Sequence, residues 1–234
     1  MISAARKVFA PLFHLFYPHN CAGCGTDLSS AQDILCLQCF DELPYTGFSE
    51  LGNNPVESIF HGRVSVVAAM SELYFSKGSI VQSLIHELKY KGRKDVGILL
   101  GNLIGKSISA SDRFWGIDLM VPLPLTPARE RSRGYNQAEI LCTGIHQVTN
   151  IPILTNVLVR TRTSSTQTKK KRGERWKNVE SNFSITDGER LSGKHVLLVD
   201  DVITTGATLD ASGTLLLTIP GVQLSIASLA WATK

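Results

Sequence analysis

Two groups of residues in this chain of 234 have the types and spacing to do chemistry. The first is cysteine. Four of the five cysteines stand as Cys21-Ala-Gly-Cys24 and Cys36-Leu-Gln-Cys39. Two C-x-x-C pairs with eleven residues between them have the spacing of a tetrahedral thiolate site, because each pair can bend so that two sulfurs reach one ion. Gly25 supplies the permissive backbone such a bend often needs. Two disulfides, an iron–sulfur cluster and a redox pair are the competing readings. A reducing compartment argues against the first, and the lack of a surrounding redox-fold pattern against the last. A closed shell of four thiolates would hold structure and leave no position open for catalysis, so structural Zn²⁺ on Cys21, Cys24, Cys36 and Cys39 is expected. Cys142 stands alone in a helical pattern and reads as buried packing.

The second group follows an apolar run, His195-Val-Leu-Leu-Val199, and reads Asp200-Asp201-Val202-Ile-Thr204-Thr205-Gly206-Ala207-Thr208. The pattern is a buried strand, two adjacent carboxylates, a Thr/Gly turn and the start of a helix. A turn at a helix N-terminus aims free N–H groups at one spot, where the helix dipole favours negative charge. Hydroxyls from Thr204, Thr205 and Thr208 add donors, and Gly206 lets the backbone close on a ligand. Such a cradle suits a phosphate monoester. Carboxylates in contact with that phosphate would repel it, so they suit neutral hydroxyls a few ångströms away, or a Mg²⁺ ion. A sugar phosphate meets both requirements. Neither G-x-x-x-x-G-K-[ST] nor G-x-G-x-x-G is present, which argues against a Walker loop and a dinucleotide fingerprint. The bland alternative is a capped helix, which needs only one such residue.

The elements that must position these groups follow from hydrophobic periodicity. Strand patterns fall at 63–75, 117–121, 195–199 and 222–231, with short extended pieces at 151–154 and 157–159. Helical patterns fall at 79–90, 96–108, 135–148 and 207–217. Their alternation predicts an α/β class with a largely parallel sheet. Residues 1–50 form a Cys- and turn-rich module, Glu50 to Asn54 a linker, and 51–234 the main domain. The stretch 161–179 lacks an apolar face and is too long for an ordinary connection, so a functional loop is expected there.

Hydrophobic residues make up 43% and charged residues 19%, which describes a globular chain rather than a disordered one. The net charge of +4 is mild and fits anionic small ligands or nucleic acid. Its distribution says more, since basic residues gather at Arg129, Arg131 and Arg133, and again from Lys169 to Arg175. Near the start, Arg6 and Lys7 precede an apolar stretch that Pro11 and His14 interrupt, with no small-x-small cleavage site after it. A short amphipathic segment packed on the body is expected there. No stretch approaches the ~20 apolar residues that span a bilayer, so membrane insertion is not expected and the cytoplasm is the default compartment.

The stretch Val199 to Thr208 resembles the PRPP-binding motif of type I phosphoribosyltransferases. Val121-Pro-Leu-Pro-Leu-Thr-Pro-Ala-Arg129-Glu-Arg-Ser-Arg133-Gly134-Tyr135-Asn136-Gln137 resembles a segment of the ComF/GntX family. So do Arg162 with Gln167-Thr168, Arg175, Asn178, the paired cysteines, and Leu88-Lys89-Tyr90-x-Gly92. Thr126 and Lys170 depart from it, where His and Leu are usual. The resemblance implies a type I phosphoribosyltransferase fold behind a small zinc-binding module. It implies that Asp200, Asp201, Val202, Thr204, Thr205, Gly206, Ala207 and Thr208 hold PRPP or another ribose 5-phosphate ester. The loop from Pro122 to Gly134, with Arg129 and Arg133, would take pyrophosphate. A second loop with Gln167 and Arg175 would close over it, Arg175 joining Asp200 and Asp201 in catalysis with Mg²⁺. The chemistry implied is displacement of pyrophosphate at ribose C1 by an unspecified acceptor. The alternative is a non-catalytic PRPP- or DNA-binding module. The family's link to DNA uptake and natural transformation implies single-stranded DNA and a helicase-like competence protein as partners.

Overall fold

Four strands with near-continuous apolar runs form one parallel sheet: β1 (Ala69–Phe75), β2 (Leu119–Pro122), β5 (His195–Ile203) and β6 (Gln223–Ala232), in the order β1-β6-β5-β2. The structure, a computed structural model, describes residues 19–30, 32–160 and 182–232. Parallel strands are covered on both faces, which is why Val196 to Val199 and Ser225 to Ala230 are buried without alternation. A two-stranded antiparallel ladder, β3 (Leu158–Arg160) with β4 (Phe183–Ile185), lies apart from this sheet.

The described α-helices are α1 (Leu37–Asp41), α2 (Pro55–Phe60), α3 (Ile80–Tyr90), α4 (Lys94–Ser109), α5 (Pro127–Arg133), α6 (Gln137–Thr149) and α7 (Ala207–Leu216), with short 3-10 turns at Asp112–Phe114 and Glu189–Leu191. In α3 the buried residues Val81, Leu84, Ile85 and Leu88 recur at helical spacing, and Ser79 caps its first turn by accepting from Gln82 N–H. Helices α4 and α6 cross with their backbones almost touching. A Cβ on Gly101 would meet the Leu141 carbonyl oxygen at 2.2 Å, and one on Gly144 would meet the Ile98 carbonyl oxygen at 2.3 Å.

Sheet topology picks out one edge. After β2 the chain passes through α5 and α6 to Ile153, which bridges Met120 in parallel on the outer side of β2. After β5 it passes through α7 to β6, on the opposite side. The two connections diverge between β2 and β5, where Pro122 aligns with Val199. Ligands of open α/β sheets bind outside the carboxyl ends of strands at such a divergence.

Most expected elements form, with shifted limits. The strand expected over 195–199 runs on to Ile203, because Asp200 and Val202 still pair with Ser228 and Ala230. The loop expected from Pro122 to Gly134 contains α5, which Thr126 caps and Pro127 opens. The strand pattern at 63–75 narrows to Ala69–Phe75. Glu50 to Asn54 is a pinned turn rather than a free linker. The fully buried Asn54 amide donates to the carbonyls of Phe48, Leu51 and Ala69, and its oxygen caps α2. The amphipathic segment expected over 8–16 lies outside the described residues. Gly101→Ala should destabilise the fold by roughly 1–3 kcal/mol, since backbone cannot give way as a side chain can. Urea unfolding checks this, and a midpoint equal to that of the parent would count against the close crossing.

Candidate functional site

The carboxyl edge of the sheet gathers the second chemical group. Asp200 and Asp201 sit in the carboxyl half of β5, Asp201 two residues before its end at Ile203, both partly buried. Asp200 accepts the Asp201 N–H at 2.7 Å through Oδ1. Lys89, from the last turn of α3, places its Nζ 2.8 Å from Asp201 Oδ2. Burial first, and the neighbouring Asp201 carboxylate second, push the Asp200 carboxyl up to about 7. Arg160, at the end of β3, lies close enough to Asp200 to feel its charge, while burial and then Arg129 pull the Arg160 guanidinium below its usual value. Its guanidinium also lies 5.2 Å from the centre of the Phe183 ring.

Directly after β5, Thr204 and Thr205 are exposed and Thr208 is partly buried. Gly206 is the N-cap of α7 at φ 71°, and no side chain caps that helix. By contrast α2, α3, α5 and α6 each carry a side-chain cap, from Asn54, Ser79, Thr126 and Asn136. Gly206 is required for two reasons. Its left-handed backbone disfavours a side chain, and a Cβ would meet Ile59 Cγ2 at 2.5 Å.

Beside the carboxylates lies a cavity of about 280 Å³ lined by Lys89, Tyr90, Gly92, Arg129, Ser132 and Arg133. Three of these carry positive charge and none is acidic. Its two walls are the end of α3 and the helix α5. They are tied together by Tyr135, whose hydroxyl donates to the Leu88 carbonyl, and by Arg133, whose guanidinium lies 5.5 Å from the centre of the Tyr90 ring. Arg133 also donates to Gln137 Oε1 at 2.5 Å. Pro122 ends β2, buried, one strand away from Val199.

Of the expected site residues, Asp200, Asp201, Val202, Thr204, Thr205, Gly206, Ala207 and Thr208 fall on one strand–turn–helix unit. Arg129 and Arg133 fall together on the neighbouring α5. Val202 stays in the sheet, paired with Ala230. Gln167 and Arg175 lie outside the described residues. Sequence reasoning assigned no role to Lys89 or Arg160. The stretch Leu88-Lys89-Tyr90 stood out by resemblance, but no spacing rule joins Lys89 to a carboxylate more than a hundred positions away.

At the other chemical group, the four sulfurs of Cys21, Cys24, Cys36 and Cys39 lie within 4.8 Å of one another. The Cys24 and Cys36 sulfurs are 3.8 Å apart. A tetrahedron of thiolates at the usual zinc–sulfur distance has edges of about 3.8 Å. A disulfide needs about 2.05 Å, and all five cysteines are free. Backbone N–H groups support the sulfurs, Cys36 donating to Cys21 Sγ at 3.3 Å and Cys39 to Cys36 Sγ at 3.4 Å. Hydrogen bonding from Thr26 draws the Cys24 thiol down to about 6. Gly23 is needed here, because a Cβ would meet Cys39 Sγ at 2.9 Å and Ile80 Cγ2 at 3.1 Å. Gly25 turns at φ 77°. The donor set therefore fits one tetrahedral ion. Cys142 is fully buried in α6, as packing.

Residues 133–231 match the phosphoribosyl transferase domain family, a stretch that includes β5, the turn and α7. Over 217 residues the chain is 29% identical to Competence protein F of Haemophilus influenzae, an alignment covering 86% of this chain and 92% of that protein. It is 31% identical over 137 residues to DNA utilization protein YhgH of Escherichia coli, covering 57% of this chain and 60% of that one. It is 37% identical over 91 residues to Competence protein ComFC of Bacillus subtilis, covering 39% of this chain and 35% of that one.

Two outcomes are expected. Freshly purified, reduced protein should carry about one zinc per chain by elemental analysis, and Cys24→Ser should lower that content; zinc near zero in the parent would remove the metal reading. Asp200 should shape the pH dependence of stability. The folded protein holds a proton on Asp200 that the unfolded chain releases near pH 4, so stability falls as pH rises from there through about 7. Asp200→Asn should then raise stability at pH 8 by roughly 1–2 kcal/mol and change little at pH 4. Equal effects in urea titrations at both pH values would contradict this origin.

Proposed function

Because this chain is a homologue of Competence protein F and ComFC that carries a phosphoribosyl transferase domain, we propose that it binds 5-phosphoribosyl diphosphate at the carboxyl edge of β5 and transfers the phosphoribosyl group. One observation carries the reading: two adjacent carboxylates stand near the carboxyl end of a central parallel strand, and a Thr-Thr-Gly turn after that strand opens a helix whose N-cap residue offers no side chain. The 5-phosphate sits against the first turn of α7, where backbone N–H groups and the hydroxyls of Thr204, Thr205 and Thr208 face it. Asp200 and Asp201 accept from the ribose hydroxyls. The diphosphate enters the neighbouring cavity, against Arg129 and Arg133.

In the reaction the bond from ribose C1 to the diphosphate oxygen breaks, and that oxygen keeps the electron pair. The acceptor bonds to C1 and loses its proton. The guanidinium groups of Arg129 and Arg133 favour the charge that gathers on the departing diphosphate. Hard carboxylate oxygens at Asp200 and Asp201 suit Mg²⁺, which when bound would neutralise part of that charge. The zinc on the four cysteines would be structural, since four protein ligands leave no open position.

The names of the relatives support a role in DNA uptake, and the cytoplasm is the compartment proposed for it. Among the described residues no helix is long and apolar enough to cross a membrane. A second reading, a single-stranded DNA-binding module working beside a helicase-like partner, gains from one surface. Tyr90 is 65% exposed with Arg133 near its ring, and Lys94 Nζ lies 5.0 Å from the centre of the Tyr135 ring. Aromatic rings among cations are what unpaired bases stack on. Trp176, the other aromatic within a basic cluster, lies outside the described residues.

Titration calorimetry with Mg²⁺ present should show saturable binding of PRPP, tighter than of ribose 5-phosphate or AMP. Asp200→Asn with Asp201→Asn should weaken it by tenfold or more. No saturation with any ribosyl phosphate would end this reading. Pyrophosphate release no greater than that of the double variant, with PRPP still bound, would leave the non-catalytic module. DNA binding that weakens steeply between 50 and 200 mM salt would favour the second reading.

A further inference from the structure

Lys89 belongs to two places at once. Its ammonium is 2.8 Å from Asp201 Oδ2, and its side chain lines the cation-walled cavity with Arg129 and Arg133. The ion pair is nearly enclosed, with the two side chains 18% and 15% exposed. A lysine head on a flexible four-carbon stem can turn from one partner to another without moving the backbone. The backbone here is held. The Leu88 carbonyl accepts from the Tyr135 hydroxyl, and the α3 face bearing Leu84, Ile85 and Leu88 is buried. The side chain is therefore the part free to choose, and its two choices are a carboxylate and whatever anion fills the cavity.

We infer that Lys89 is an exchange residue: it neutralises Asp201 while the cavity lacks an anion, and turns to the diphosphate when one enters, releasing the Asp201 carboxylate to the ribose. This rests on the ribosyl diphosphate reading above and adds a device to it. Without Lys89, the Asp201 carboxylate would stand unpaired next to the desolvated Asp200 carboxyl. With Lys89 fixed on Asp201, the cavity would lack one of its three cations. The exchange links the two halves of the site, so that diphosphate and ribose 5-phosphate assist each other's binding, and a ligand carrying both is favoured over either piece.

Inorganic pyrophosphate and ribose 5-phosphate serve as separate probes. Lys89→Met should weaken pyrophosphate roughly tenfold, the worth of one charge-assisted contact, and should abolish the mutual assistance between the two probes. Lys89→Arg should restore most of the pyrophosphate affinity. Asp201→Asn should act in the opposite sense, tightening pyrophosphate severalfold because Lys89 no longer has a competing carboxylate, while weakening ribose 5-phosphate. Thermal unfolding of each variant confirms that it is folded. If the parent binds pyrophosphate but neither Lys89→Met nor Asp201→Asn changes that affinity, the exchange is wrong and the ribosyl diphosphate reading survives. Weakening by both variants also overturns it. If the parent binds neither probe nor PRPP, the underlying reading fails, and the exchange with it.

Discussion

Two carboxylates on consecutive residues near the carboxyl end of a buried strand repel each other, and much of the structure around them answers that repulsion. Asp201 has its lysine from α3, and Asp200 has the Asp201 N–H and the field of Arg160. These groups do not remove the conflict, because burial still lifts the Asp200 carboxyl far above an ordinary aspartate. A fold that sought stability alone would place apolar residues there, as it does through the preceding run from Val196 to Val199. Keeping the pair is a local loss of stability at the edge of the sheet where topology favours a ligand.

The rest of the chain fixes what surrounds the pair. The glycines of α4 and α6 bring two backbones into contact and make a stiff layer over the sheet, α4 against β6 and β1 and α6 against β5 and β2. Helix α3, with its first residue, Ile80, packed on the cysteine cluster and Lys89 near its far end, carries that cation to Asp201. Asn136 caps α6 while its amide donates to the Leu123 carbonyl, so the chain leaving β2 is pinned to the helix that follows. The ladder of β3 and β4 sets Arg160 opposite Phe183 and so delivers a second cation toward Asp200.

The legible parts of this arrangement are those written in local pattern. The strand before Asp200, the turn and α7 are contiguous, and the cysteine pairs announce themselves by spacing, so both groups stand out before any packing is known. Helices with one apolar face, such as α3, are equally plain. What local pattern misses is anything assembled from distant segments. Lys89 and Asp201 meet only because α3 runs across the sheet edge. Arg129 and Arg133 read as loop residues because α5 buries no side chain, so its helix is carried by the Thr126 cap and Pro127 and not by hydrophobic period. Asn54 looked like part of a linker because an asparagine beside Gly52 and Pro55 usually is, whereas here its amide satisfies three carbonyls, those of Phe48 and Ala69 buried and that of Leu51 part-buried.

The flanks of the main sheet have their own consequence. On one side the stretch from Pro44 to Thr46 runs antiparallel along β1, with Tyr74 N–H donating to the Pro44 carbonyl at 2.8 Å and Thr46 N–H to the Glu72 carbonyl at 3.0 Å. On the other, Met120 exchanges hydrogen bonds with Pro152 and Leu154 at 2.8 Å each. Each border is thereby partly occupied by the chain's own backbone, which leaves less of it open to strands from other molecules. The stretch that follows the cysteines thus covers part of the β1 border. A shortened chain beginning after Phe48 would leave that border of β1 unpaired, next to the rings of Tyr74 and Trp231.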